Sequence, residues 1–177
     1  IQHNRTGGGH RHRIAKLEIP NIQRCFEWTL EHKSPHLSAL LSLATSELLR
    51  NSGPFDGVTA MLRRAHKDLP HDAPLRARLL LEQGRLASNR EGLEVAERML
   101  NDATVLGDAL DIPSVATQAR IYLAYVLART NRLEEAISMA QDAVEKAIQT
   151  HEQQDLPSAQ YCRGHLTHQS GETQKAL

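Results

Sequence analysis

The stretch Asn131–Ala147, NRLEEAISMAQDAVEKA, decides the fold. Its alanines stand at 136, 140, 143 and 147, a four-three-four spacing that lays them on one face of a helix. An ordinary core-facing stripe carries Leu, Ile or Phe on that face. Alanine there reports a neighbouring helix whose approach leaves no room for a larger side chain.

Outward from this stretch the same spacing recurs. Gly84, Ala124 and Gly164 are separated by 40 and 40 residues, and twelve residues after each stand Ala96, Ala136 and Ala176. Seven further on, the first two copies have Ala103 and Ala143. Leu100 fills a bulky position sixteen residues after Gly84, where the next copy has Ala140, and Leu127 follows Ala124 by three. A looser copy starts on Ser46, with Leu49, Val58, Leu62 and Ala65 at the same offsets. Recurrence at a fixed period is the signature of a repeat array.

Punctuation agrees with the recurrence. Pro35, Pro74, Pro113 and Pro157 stand where helices begin, a place at which the missing N–H costs nothing. Between them lie second breaks at NSGPFDG (51–57), SNREG (88–92), TNR (130–132) and QSGE (169–172). The chain reads as all-α helical hairpins over 35–69, 74–110 and 113–153, with an incomplete one over 157–177. Residues 1–13, with the run TGGGHRHR, read as a flexible arm, and 14–34 as a connecting or capping helical segment.

A small residue followed by alanines twelve and nineteen positions on resembles the tetratricopeptide repeat. That resemblance implies a right-handed superhelix of antiparallel helical hairpins, a TPR-like α-solenoid, with a concave binding face. The usual period is about 34 residues, so these units are longer, and the extra length is expected around GDALDI (107–112) and IQTHEQQD (148–155), in the second helices. Upstream, KLEIPNIQRCFEWTLEHKSP (16–35) resembles the segment that joins the ATPase portion to the repeats in STAND-type signalling ATPases of the AfsR and large LuxR type. Glu18, Asn21, Ile22, Gln23, Phe26, Trp28 and Leu30 carry the match. It implies an ATPase module upstream of Ile1, so that the chain is a piece of a longer regulator.

Composition narrows the function. Lys+Arg and Asp+Glu are equal at 21 each, so no net charge draws the chain to nucleic acid or a membrane surface. Aromatic residues make up 3 %, too few for base stacking, and no apolar run is long enough to span a bilayer. Two distant cysteines, Cys25 and Cys162, fit a reducing, cytoplasmic setting better than a disulfide scaffold. Gly7–Gly9 has no following Lys-Ser/Thr, and no nucleophile or zinc motif stands anywhere, so neither catalysis nor a cofactor is expected. Cys162, His165 and His168, at three-residue steps, are the sharpest metal candidate among ten histidines; the steps drift around a helix, and no metal is expected. His3, His10 and His12 lie in the arm. The cluster Arg63, Arg64 and Lys67 reads as a solvated helix face.

In the register implied by the tetratricopeptide resemblance, the concave face carries Arg78, Leu81 and Arg85, then Gln118, Ile121 and Tyr125, then Tyr161, His165 and His168. Arginines take carboxylates and tyrosines supply apolar anchors. The expected function is therefore a non-catalytic interaction or sensor module for a protein or peptide partner. Self-association through the repeat ends is open to such an array. The alternatives are a stand-alone adaptor without an ATPase, and part of an enzyme whose catalytic domain lies elsewhere.

Overall fold

The computed structural model describes residues 6–50, 53, 55–70, 74–90, 92–151 and 153–176. Among the described residues all regular structure is helical. The helices are α1 (Thr6–Glu31), α2 (Pro35–Leu49), α3 (Phe55–Asp68), α4 (Pro74–Arg90), α5 (Leu93–Ala109), α6 (Pro113–Arg129), α7 (Leu133–Gln149) and α8 (Leu156–Ala176). The chain forms two compact units, Ile1–His71 with α1–α3 and Asp72–Leu177 with α4–α8.

In the first unit α2 packs against both α1 and α3. The looser repeat copy behaves as its offsets imply: Ser46, Leu49, Val58, Leu62 and Ala65 are all buried. α1 begins at Thr6, so the stretch read as a flexible arm is helical from that residue onward, and the helix continues across Pro20. His3 lies outside the described residues.

In the second unit each helix packs on the next, and α6 also touches α4 and α8, the alternate helices on either side. Helices α4, α5, α6 and α7 each have 17 residues. The extra length of the repeat is therefore shared between first and second helices, not concentrated in the second as its sequence suggested. Pro74 and Pro113 open their helices, and Pro157 is the second residue of α8. The break expected at QSGE is absent, because α8 runs unbroken through Ser170 and Gly171. A lone glycine in a helix costs only about 1 kcal/mol relative to alanine, too little to stop it.

The connections are tight because the backbone closes them without side-chain caps. After α5, the Ile112 N–H donates to the Gly107 carbonyl at 2.8 Å while Asp111 sits at φ 52°. After α6, the Arg132 N–H donates to the Leu127 carbonyl at 3.0 Å while Asn131 sits at φ 66°. The same closure follows α1, from the Ser34 N–H to the Thr29 carbonyl across Lys33 at φ 47°. Each satisfies terminal carbonyls through one left-handed residue.

The alanine columns are the core. Ala96, Ala103, Ala124, Ala136, Ala140 and Ala143 are fully buried, joined by Leu100, Leu123, Val126 and Leu127. Ion pairs tie the helices outside this core. Asp108 on α5 receives Arg120 of α6 at 2.6 Å and Lys146 of α7 at 2.9 Å. Burial works against the Asp108 carboxylate, but these two cations outweigh it and hold its pKa below the ordinary value. Arg132 bridges Glu97 of α5 and Glu135 of α7, and its bonds to Glu135 and Glu97 hold the guanidinium charged.

Candidate functional site

The face shared by α4, α6 and α8 is built by contacts between first helices of successive repeats. Arg129 Nη1 donates to the Ser88 carbonyl at 2.6 Å, joining the ends of α6 and α4 across 41 residues. Cys162 Sγ lies 3.8 Å from the Ile121 carbonyl oxygen, joining α8 to α6 across the same interval. Gln118 Nε2 donates to Asp155 Oδ1 at 3.0 Å, fixing the start of α8 against α6.

The residues assigned to this face from the register separate into three groups. Leu81 and Ile121 are 5 % and 6 % exposed and belong to the core, so they support the face from beneath. Arg85 is buried and its Nη2 donates to Glu82 Oε2 at 2.6 Å, with Nε to the same oxygen at 3.1 Å. Its charge is thereby matched within α4. Arg78 is exposed, Gln118 is half-buried in its bond to Asp155, and Tyr125 is half-buried. Tyr161, His165 and His168 are exposed on α8.

The aromatic groups converge. Tyr161 is 69 % exposed and its ring lies parallel to that of His165, with centroids 6.1 Å apart and 2° between planes. Burial raises the Tyr125 pKa above the ordinary phenol value, and Cys162, Tyr161 and Tyr122 all add to the rise. Tyr122 and Tyr125 stand on α6 and Tyr161 on α8, and both other tyrosines lie close enough to Tyr125 to influence its phenol. Tyr122 and Asp155 were missed from the sequence. Tyr122 is half-buried on α6 within one turn of Tyr125 and Gln118, a spacing that could have found it.

The Cys162, His165 and His168 trio divides between two environments. Cys162 is buried, which pushes its thiol up to about 11, while both histidines are exposed. Among the described residues no three of His, Cys, Asp and Glu stand together as metal ligands would. His10 and His12 fall on α1 where side chains lie outside the description. Arg64, from the cluster read as a solvated face, makes a bidentate bond to Glu27 and lies 5.6 Å from the Phe26 ring centroid.

Among the described residues no helix is long and apolar enough to cross a membrane. Comparison with protein-family models, with curated proteins and with solved structures finds no match.

Proposed function

We propose that the chain is a non-catalytic interaction module that takes an extended protein or peptide segment on the face shared by α4, α6 and α8. The observation that carries this reading is the pairing of the exposed Tyr161 and His165 rings on α8 close to the half-buried Tyr125 of α6. Tyrosines supply large, rigid contact area at low entropic cost, and half-exposed ones anchor partners. Since Arg85 is matched by Glu82, the aromatic end, with Arg78 at the opposite end, is the stronger anchor.

The same reading takes the second unit as TPR-like hairpins in a right-handed superhelix, within a cytoplasmic regulator of the STAND type. Antiparallel pairing is supported by two bonds: Glu97 early in α5 meets Arg132 just after α6, and Asp108 late in α5 meets Arg120 midway along α6. Curvature towards the even-numbered helices is supported by the contacts α6 makes with α4 and α8. Concave faces of such arrays are the recurring binding surfaces. The regulatory setting rests on the resemblance of residues 16–35.

Peptides selected from a random library against the whole chain test the reading. Y161A combined with H165A should weaken the selected peptides at least about tenfold, or about 1.4 kcal/mol. Controls at Val105 on α5 and Ile148 on α7, both exposed, should leave affinity unchanged. Equal binding by the double variant, or loss in the controls instead, refutes the assignment of the face.

A further inference from the structure

The equal totals of acidic and basic residues conceal a segregation between helices. α5 and α7 each carry four acidic residues against one basic, whereas α4 carries four arginines against one glutamate, and α6 two arginines and no acid. Some of the acids on α5 and α7 are matched inside the unit: Asp108 by Arg120 and Lys146, Glu97 and Glu135 by Arg132. Glu94 and Asp102 on α5, with Glu134, Asp142 and Glu145 on α7, are exposed and make no ion pair among the described residues.

The matched pairs set α5 and α7 side by side and parallel. Arg132, just before α7, reaches Glu97 near the start of α5, and Lys146 near the end of α7 reaches Asp108 near the end of α5. Beside the first of these ties lies a cleft of about 340 Å³. Leu123 and Leu127 of α6 underlie it, and the half-buried Met139 of α7 adds apolar surface. Asn101, just before Asp102, and Ser138, one turn before Asp142, bring the unmatched carboxylates to its two sides.

The cleft displays the chemistry it accepts. The guanidinium of Arg132 lies in it, donating from Nη1 to Glu97 at 2.6 Å and from Nε and Nη2 to Glu135 at 2.8 and 2.7 Å. Both oxygens of Glu135 are engaged, but only one oxygen of Glu97 is, among the described residues. A second cationic side chain can bond the other oxygen while its aliphatic stem covers Met139. Charge complementarity of this kind selects a partner and speeds its encounter more than it raises affinity. Phosphate-bearing surfaces, nucleic acid or anionic lipid, are repelled by the same carboxylates.

We infer that the cleft between α5 and α7 docks a basic segment of a partner protein, with an arginine or lysine side chain entering beside Glu97. This surface is separate from the face shared by α4, α6 and α8 and does not depend on what binds there.

Fluorescence anisotropy of the full chain with a labelled alternating Arg-Ala peptide tests this, against a Glu-Ala peptide of the same length. Neither carries an aromatic group for Tyr161 and His165 to hold. The Arg-Ala peptide should bind, more weakly as salt rises, and the Glu-Ala peptide should not. D102K/D142K reverses one exposed, unmatched charge on each helix, so it should keep helix content while weakening the Arg-Ala peptide at least about tenfold. E31K/D68K makes the same change of net charge on α1 and α3 and should leave binding unaltered, as should Y161A/H165A. No preference for the Arg-Ala peptide overturns the inference. Equal loss in E31K/D68K would show attraction to net charge alone, and loss in Y161A/H165A would put the segment on the other face; either overturns the cleft. Dimers of the unaltered chain that D102K/D142K dissolves would make the occupant a second copy and overturn a separate partner.

Discussion

A Cβ added to Gly84 of α4 would lie 2.7 Å from Leu100 Cγ and 2.8 Å from its Cδ2 on α5. Leu100 is fully buried and cannot swing clear. The equivalent positions forty residues on are Ala124 and Ala140, both fully buried. The Cβ gained at Ala124 is thus matched by the bulk lost at Ala140, which accounts for an alanine where the repeat otherwise places a large residue. G84A should therefore cost about 1 kcal/mol, overpacking of roughly 1–3 kcal/mol outweighing a helix-propensity gain of about 1 kcal/mol. In an L100A background the sign should reverse, with G84A stabilising by about 1 kcal/mol as it fills part of the cavity. Urea denaturation of the four-member cycle reads the coupling; additive effects would contradict the contact.

The alanine columns and the prolines were legible because each records a local constraint at its own position: close approach for Ala96 and Ala136, a helix start for Pro74 and Pro113. QSGE misled because turn residues bias a helix end without compelling one. On the candidate face, the register assigned Tyr125, Tyr161 and His165 alongside Leu81 and Ile121, and it did not reveal that the last two are covered. A register assigns a residue to a face, whereas depth depends on how closely the alternate helices approach.

Three of the tight connections use a non-glycine residue in the left-handed region, and the cost differs among them. Asn131, at φ 66°, tolerates that region through its short polar side chain, whereas Lys33, at φ 47°, does not. K33G should stabilise by about 0.5 kcal/mol, relief of roughly 1–2 kcal/mol of backbone strain being partly offset by glycine's unfolded-state entropy. N131G should change stability little. Thermal or chemical denaturation checks the difference, and equal gains at both sites would remove the strain argument.

Asp108 joins three helices, and its carboxyl pKa is lowered in the folded chain. A group depressed in this way stabilises fully above its unfolded pKa of about 3.9 and loses that stabilisation as pH falls through its lower folded value. D108N should cost about 1 kcal/mol at neutral pH, the scale of a partly exposed ion-pair network. The gap between the variant and the unaltered chain should close in acid, below the ordinary carboxylate range. A gap that stays constant into strong acid would assign the effect to packing instead of charge.

The two thiols offer a measure of how firmly α8 is held. Cys25 is exposed, while Cys162 is buried against the Ile121 carbonyl with its thiol raised to about 11. Only the thiolate reacts quickly, so at mildly alkaline pH one equivalent of a thiol reagent should add promptly and the second slowly. The slow phase requires α8 to leave α6 and α7, and its rate reports the free energy of that local opening. Among the described residues α8 packs on α6 and α7, and a Cβ at Gly164 would meet nothing within 4 Å, where the equivalent Gly84 is pressed against Leu100. The opening should therefore cost less than unfolding of the whole unit, and the slow rate should persist well below the denaturant midpoint. Labelling of Cys162 as fast as that of Cys25 would contradict its burial, and a rate that tracks global unfolding would show α8 locked to the remainder of its unit.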